Sequence, residues 1–228
     1  MTKVGVVLFP GSNCEQDVLE AVRRLGAEGE LLWHGDATVD GVDAVVVPGG
    51  FAHGDYLRPG AIARFSPVME AVTLFAAEGG PVVGICNGFQ VLTEAGLLPG
   101  ALSKNRGLTF RCEMATLRVD SCKSALTEEV EEGTILSIPI NHFEGNYQCD
   151  PRTLATLRDE NRIVLRYVEN PNGSVDDIAA ICSADGNVVG LIPHPERASH
   201  PLLGSEDGNR LLTSLLRAAA RRAGLIRT

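Results

Sequence analysis

The sequence predicts an α/β fold in which a central, mostly parallel sheet is covered by helices on both faces. The first half of the chain contains short, continuously apolar runs, such as residues 3–9 and 81–85, which are typical of strands buried on both faces. Segments with apolar residues at helical spacing separate these runs, as in the crossover connections of a parallel sheet. After Gly100, short strands that alternate in residue type predict an antiparallel extension of the same sheet.

The elements of the first half follow in chain order. In the first predicted helix Val18, Leu19 and Val22 recur at helical spacing, and Ser12 or Asn13 stands where a residue could cap its amino end. The predicted strands are residues 3–9, 30–33, 44–47 and 81–85, and the predicted helices span residues 12–25, residues 67–78 and the segment that follows Cys86.

The second half is predicted to be mainly antiparallel. Residues 111–119 alternate as a half-exposed strand does, and Asp185-Gly186-Asn187 predicts a hairpin turn. The other predicted elements are strands at residues 134–140, 163–168, 178–182 and 188–192 and a helix at residues 211–223. Since no repeat or linker interrupts the pattern, we predict a single domain spanning residues 1–228.

Composition limits the possible partners. A formal charge of −9, from 20 basic and 29 acidic residues, argues against a surface that binds nucleic acid or an anionic membrane. No apolar run approaches the roughly 20 residues that a membrane-spanning helix needs, and the amino end lacks the pattern of a signal peptide. We therefore expect a cytoplasmic protein.

The six cysteines have neither the Cys-x-x-Cys pairing nor the spacing of a zinc site, and disulfides are rare in that compartment. No metal is predicted. Cys14 follows a turn after the first strand, near the sheet edge where α/β folds place their sites. We interpret it as the start of a helix rather than as a nucleophile.

Cys86 carries the strongest chemical signal in the chain. It lies between a predicted strand and a predicted helix with Gly84 and Gly88 close by, which is the arrangement of a nucleophile elbow. The amino end of the helix favours the thiolate form. His194 and Glu196 supply a base and a group that orients it, and Pro195 between them suggests an extended segment with both side chains on one face.

The segments around Cys86 and His194 resemble the signature of the class I, or triad-type, glutamine amidotransferases. The motifs that carry the resemblance are Gly84-Ile85-Cys86-Asn87-Gly88-Phe89-Gln90, His194-Pro195-Glu196-Arg197, Pro10-Gly11-Ser12-Asn13-Cys14, Pro48-Gly49-Gly50-Phe51, Gly54-Asp55-Tyr56-Leu57-Arg58 and Gly60-Ala61-Ile62-Ala63-Arg64-Phe65. The resemblance spans nearly the whole chain. It implies a flavodoxin-like three-layer fold and hydrolysis of glutamine to glutamate and ammonia.

The resemblance also implies roles for individual residues. Cys86 would attack the side-chain amide of glutamine, His194 would transfer protons, and Glu196 would fix the tautomer of the imidazole. The backbone N–H groups of Gly50 and Asn87 would form the oxyanion hole. Gln90, one helical turn after Cys86, would bind the polar end of the substrate.

One segment departs from the family pattern. Asn141-His142-Phe143-Glu144-Gly145 stands where the family has Ala-His-Gly-Glu-Gly, so Phe143 disfavours a positive φ at that point. The family uses this segment to hold glutamine, so Asn141 and His142 are predicted to bind substrate. His142 could also be a second base, but a loop histidine at a substrate or subunit interface is the favoured interpretation.

The chain lacks a recognisable nucleotide-binding motif, so activation of the ammonia acceptor is expected on another chain. The resemblance implies a large synthetase subunit that uses ATP and magnesium, joined by a small accessory subunit. Residues 54–58 with Arg64 are our hypothesis for part of the docking surface.

Alternative functions remain open at this stage. A DJ-1-like or PfpI-like hydrolase has a similar elbow, but the PfpI-like enzymes place a histidine directly after the cysteine, where Asn87 stands here. A binding module or inactive homologue would have lost a member of the triad. A glutaminase that serves a different synthetase is the third alternative.

Overall fold

The computed structural model describes residues 1–226. The strands are β1 (Lys3–Leu8), β2 (Glu28–Trp33), β3 (Ala44–Val47), β4 (Val82–Ile85), β5 (Ala101–Ser103), β6 (Arg111–Val119), β7 (Ile135–His142), β8 (Asn146–Gln148), β9 (Ile163–Tyr167), β10 (Ile178–Cys182) and β11 (Val188–Leu191). The helices are α1 (Glu15–Arg24), α2 (Pro67–Ala77), α3 (Asn87–Glu94), α4 (Pro151–Asp159) and α5 (Gly208–Arg222). The single domain predicted for residues 1–228 stays a prediction, and Arg227 and Thr228 lie outside the described residues.

Nine of these strands form one mixed sheet in the order β2-β1-β3-β4-β11-β10-β9-β6-β7. The pairings from β2 to β11 are parallel, and those from β11 to β7 are antiparallel. The predicted α/β fold with an antiparallel extension is confirmed. Strands β3, β4, β10 and β11 are buried along their whole length, as expected of a sheet covered on both faces.

The order of the strands determines where the site forms. Leu191 pairs with Ile85, so the parallel strands β11 and β4 end side by side. The segments that follow β1, β3, β4 and β11 therefore meet at one edge of the sheet, which is where open α/β folds place their sites.

Helix α3 packs very closely on this sheet. A Cβ at Gly88 would overlap the carbonyl oxygen of Val47, and one at Gly84 would lie 2.7 Å from the carbonyl oxygen of Gly88. Gly190 on β11 leaves room in the same way for the ring of Phe89. These glycines bring the start of α3, and Cys86 before it, against the sheet.

The predicted cap of α1 is wrong. The helix begins at Glu15 after Cys14, whose side chain makes no capping hydrogen bond. Ser12 instead closes the preceding turn: its hydroxyl accepts a hydrogen bond from the N–H of Phe9 at 3.1 Å, and its own N–H donates to the carbonyl of Phe9 at 3.1 Å. The turn thus uses the side chain that the sequence offered as a cap.

The extended segment predicted around Pro195 is also wrong. Pro195–Arg197 form a single 3₁₀ turn, in which the N–H of Arg197 donates to the carbonyl of His194 at 3.1 Å. Proline suits the first position of such a turn because it has no N–H to lose. The two side chains still meet, because the backbone curves through the 3₁₀ turn. The prediction had instead placed them on the same face of an extended segment.

Helix α4 and the small β5–β8 sheet were not predicted. The carboxylate of Asp150 accepts hydrogen bonds from the N–H groups of Arg152 at 2.9 Å and Thr153 at 3.1 Å, and Pro151 takes the first helical position. Asp-Pro at a helix start is a recognisable signal. Among the described residues, no helix has both the length and the apolar character needed to cross a membrane.

Candidate active site

Strand ends and the β7–β8 connection bring most of the predicted site residues to one pocket. The predicted residues that line it are Gly50, Cys86, Gln90, Asn141, His142 and His194. Glu196 lies behind His194, and Asn87 begins α3 directly after Cys86. The structure thus brings together residues that are far apart in the sequence.

Cys86 occupies the sharp turn between β4 and α3. Its backbone has φ 50° and ψ −104°, a conformation that side-chain-bearing residues rarely adopt, and its N–H donates to the carbonyl of Leu191 at 2.7 Å. The side chain is buried, with Sγ 3.8 Å from the carbonyl oxygen of Asn141. This is the strained strand-to-helix turn expected of a nucleophile elbow.

His194 and Glu196 form a buried pair beside this turn. Nδ1 of His194 lies 2.6 Å from Oε1 of Glu196, and each residue is only 1% exposed. Burial lowers the pKa of His194, but the charge of Glu196 and interactions with the thiols of Cys14 and Cys86 outweigh it, so the pKa is well above its ordinary value. Nε2 has no hydrogen-bond partner within residues 1–226 and is free to exchange a proton in the pocket.

Cys14 belongs to the site, although the sequence predicted only a helix start. Its thiol is buried, interacts with His194 and lies 3.3 Å from a guanidinium nitrogen of Arg197. Burial raises the pKa of Cys14 in spite of the opposing effects of His194 and Arg197. Cys14 is therefore a neutral thiol beside the imidazole.

The cluster of Cys14, His194 and Glu196 contains residue types that commonly bind metals. Donor atoms of Cys14, His194 and Glu196 lie within 4.8 Å of one another. However, the guanidinium of Arg197 contacts the sulfur, and its positive charge opposes binding of a cation there. We assign no metal to this cluster.

Gly50 and Asn87, the two residues predicted to form an oxyanion hole, lie on the loop after β3 and at the start of α3. Gly50 has φ +142°, and a Cβ there would lie 2.6 Å from the backbone nitrogen of Asn13, so only glycine fits. The side chain of Asn87 ties this glycine loop to α3, because its Oδ1 accepts from the N–H of Ala52 at 2.9 Å. This hydrogen bond fixes the loop after β3 relative to the start of α3.

Gln90 is fixed on the pocket wall. Its Nε2 donates to the carbonyl of Glu144 at 2.6 Å, and its Oε1 accepts from Nδ2 of Asn87 at 2.8 Å. Its side-chain amide therefore links α3 to the connection between β7 and β8.

Asn141 and His142 end β7 and also face the pocket. The prediction of a loop histidine is wrong, since His142 is a buried strand residue. Its Nδ1 lies 3.0 Å from Oδ1 of Asn105, whose Nδ2 donates to the carbonyls of Thr109 and His142. Nδ1 must therefore carry the proton, which leaves Nε2 as a buried acceptor without a partner in residues 1–226.

Electrostatics keep His142 neutral. Burial, with smaller effects from His194 and Arg111, lowers its pKa to about 4. A base this weak does not compete with His194 for a proton near neutral pH. Phe143, next in the chain, is not among the described residues with positive φ, so the β7–β8 connection avoids the strained conformation.

Comparison with known proteins defines the class. A model of the CobB/CobQ-like glutamine amidotransferase domain matches residues 1–210. The chain belongs to this family of glutamine amidotransferases. The membership favours amide transfer over a DJ-1-like or PfpI-like hydrolase.

Individual relatives narrow the class further. The phosphoribosylformylglycinamidine synthase subunit PurQ of Rubrobacter xylanophilus is 60% identical over 217 residues, covering 95% of this chain and 99% of that protein. The protein of the same name from Koribacter versatilis is 50% identical over 230 residues, covering 96% and 100%. A chain in the PurLQS structure from Thermotoga maritima matches with a TM-score of 0.87 and 39% identity, covering 95% of this chain and 98% of that one.

Sequence reasoning missed several residues at the pocket. Cys14, Arg197 and Asp55 line it, and the side chain of Asn87 links the loop that carries Asp55 to α3. Arg197 and Asp55 stand within motifs that the sequence did flag. These residues meet at one pocket because of the order of the strands in the sheet, and the motifs alone do not specify that order.

Proposed function

We propose that this chain is the glutaminase subunit of phosphoribosylformylglycinamidine synthase. It hydrolyses glutamine to glutamate and ammonia, and a partner subunit uses the ammonia to convert formylglycinamide ribonucleotide to formylglycinamidine ribonucleotide in purine biosynthesis. The observation that carries the glutaminase activity is the elbow residue Cys86 beside the buried His194–Glu196 pair in one pocket. The identity of the acceptor is supported by the relatives that share almost the whole chain.

The first chemical step is attack of the Cys86 thiolate on the side-chain amide carbon of glutamine. The C–S bond forms as the C=O electrons move onto oxygen, and the backbone N–H groups of Gly50 and Asn87 would donate hydrogen bonds to that oxygen. The raised pKa of His194 makes the imidazolium available to protonate the departing nitrogen. Ammonia then leaves and a glutamyl thioester remains on Cys86.

The second step is hydrolysis of the thioester. Neutral His194 now takes a proton from water as its oxygen attacks the thioester carbon, and collapse of the intermediate expels the Cys86 thiolate. Glu196 holds Nδ1 of His194 throughout, so the proton always moves at Nε2. Glutamate is released and the starting pair is restored.

Substrate positioning is assigned to the pocket wall. Asn141 and Gln90 form parts of it, and the unpartnered Nε2 of His142 offers an acceptor to a substrate or water N–H or O–H group. Because His142 is neutral, it would orient these groups without removing a proton.

The ammonia has a use only in an assembly. We propose that a large synthetase subunit binds ATP and magnesium and activates the acceptor, that a small accessory subunit completes the complex, and that the assembly works in the cytoplasm. The PurLQS structure supports such a partnership, since a chain in it matches this one along nearly its whole length. The pocket lining includes Phe51, which is half exposed, so the pocket reaches a surface on which a partner can dock.

The test measures glutamate and ammonia release from glutamine by the purified chain, alone and with the synthetase and accessory subunits, ATP and formylglycinamide ribonucleotide. We expect release that rises in the complete assembly and is lost in Cys86→Ala. The acceptor assignment fails if glutamate release is the same with and without partners and acceptor. The glutaminase assignment fails if no cysteine-dependent release occurs in either condition.

A further inference from the structure

Asp55 is a charged residue at the pocket that the chemistry above does not use. It lines the same pocket as Cys86 and His194 but reaches it from the loop after β3. Its backbone is in the left-handed region, with φ 53°, as are the two residues before it, His53 and Gly54. Asparagine and aspartate tolerate this conformation better than most residues do, but it still signals a locally constrained loop.

The carboxylate of Asp55 has a fixed position. Its Oδ1 accepts a hydrogen bond from Nδ2 of Asn87 at 3.0 Å, and Asn87 also binds Gln90. Asp55 is thereby tied to the first turn of α3, immediately after the elbow. A carboxylate held in this way is preorganised with respect to the reacting sulfur.

Asp55 has no cationic partner among residues 1–226. Four basic side chains around the pocket have other partners. Arg58 forms a two-pronged pair with Glu94, and Arg64 donates to the carbonyl of Glu94. Arg197 pairs with Asp17, and Lys104 lies over the ring of Phe143 and acts on Glu144. The other acidic group that faces this part of the pocket is Glu144. A half-buried carboxylate beside a second acid is unfavourable unless a cation joins it.

Glutamine supplies such a cation. Its side-chain amide must reach Cys86 and His194, so its α-carbon end, which bears an ammonium group, lies further up the same pocket. We propose that Asp55 binds the α-ammonium group of the substrate and so selects free glutamine over amides that lack this charge. This proposal rests on the glutaminase function proposed above.

The electrostatics are consistent with this role. Burial raises the pKa of Asp55, the hydrogen bond from Asn87 opposes the shift and Glu144 adds to it, and the pKa is about 6. The carboxylate is therefore charged at neutral pH and becomes protonated below about pH 6. Since only the charged form attracts an ammonium group, KM for glutamine should rise as the pH falls through this range.

The decisive experiment compares two substrates on the assembled enzyme: glutamine and 4-carbamoylbutanoate, which is glutamine without its α-amino group. Asp55→Asn keeps an oxygen for Asn87 and tolerates the positive φ, so it removes the charge with little change in shape. We expect kcat/KM for glutamine to fall by roughly tenfold to a hundredfold, and kcat/KM for 4-carbamoylbutanoate to stay within about twofold. The acid-side rise in KM should disappear in this variant.

Glu144→Gln is the matched control because it removes the other carboxylate of the pocket. An equal loss with both substrates in Asp55→Asn, or a loss specific to glutamine in Glu144→Gln instead, would overturn the assignment of Asp55. Failure of the glutaminase proposal is distinguishable, since the wild-type assembly would then release no glutamate from glutamine.

Discussion

Two thiols flank the imidazole of His194, and their backbone settings differ. Cys86 sits on a strained turn at the amino end of α3, whereas Cys14 precedes α1 with an unstrained φ of −106°. Burial raises the pKa of Cys14, so it is protonated at neutral pH. These differences support Cys86 as the proposed nucleophile and make Cys14 a neutral neighbour that influences His194.

Variants of Cys14 test this division. The interaction with Cys14 helps to raise the pKa of His194. We expect Cys14→Ala to keep glutaminase activity and to shift the alkaline limb of the kcat/KM profile to lower pH, because the imidazolium loses its proton more easily. Cys182→Ala, which removes a buried thiol from β10, should leave the profile in place. The division is wrong if Cys14→Ala is as inactive as Cys86→Ala.

The sequence predicted the residues of the proposed triad but not all of their neighbours. Cys86, His194 and Glu196 stand in compact motifs whose residue types state their chemistry, so they can be chosen without a structure. Cys14 reaches His194 only because the segments after β1 and β11 meet at one sheet edge. Such a contact depends on strand order, which a single sequence does not specify.

At the scale of elements, the fit of α3 against the sheet sets the position of Cys86, the proposed nucleophile. Gly88 lies two residues after Cys86 and against the carbonyl of Val47, with no room for a Cβ. Any added atom must therefore move the first turn of α3 away from β3.

We expect Gly88→Ala to lower the free energy of unfolding by about 1–3 kcal/mol, the usual cost of overpacking, and to lower kcat because Cys86 moves with the helix. Denaturant unfolding and steady-state kinetics measure the two effects. Gly107→Ala is the control, since a Cβ there finds ordinary contacts at 3.5 Å or more. Equal stability of the two variants would contradict the packing argument.

Elements with a strong apolar pattern were predicted well, and elements without a pattern of their own were not. The apolar strands β3, β4 and β10 lie where the sequence placed them. The turn at Pro195–Arg197 was misjudged, because one 3₁₀ turn has too few residues to show a periodicity. The turn brings His194 and Glu196 into their buried pair.

At the scale of the molecule, the mouth of the pocket carries exposed apolar side chains. Phe51 lines the pocket and is 49% exposed, and Tyr56, Leu57 and Phe65 nearby in the chain are 74%, 88% and 74% exposed. Exposed apolar groups beside a site that must pass ammonia to another chain fit a docking surface. The assignment of residues 54–58 and Arg64 to a docking surface stays a prediction. Leu57 is the most exposed apolar residue of this segment.

We expect Leu57→Asp to weaken association with the synthetase subunit at least about tenfold, because a buried leucine contributes roughly 1.5–3 kcal/mol. Aspartate tolerates the φ of 69° at this position, so the loop should keep its shape. Leu74→Asp, at an exposed position of α2, is the control. Sedimentation of the mixed subunits measures the effect, and equal binding by both variants would remove Leu57 from the interface.

The central claim is that glutamine is hydrolysed through a thioester on Cys86. The most direct measurement quenches the assembled enzyme in acid during turnover of glutamine and maps the modified peptide by mass spectrometry. We predict the mass of one glutamyl group on the peptide that contains Cys86, and none in Cys86→Ala. A glutamyl group on the peptide that contains Cys14, or glutamate formation by Cys86→Ala at the wild-type rate, would contradict the account.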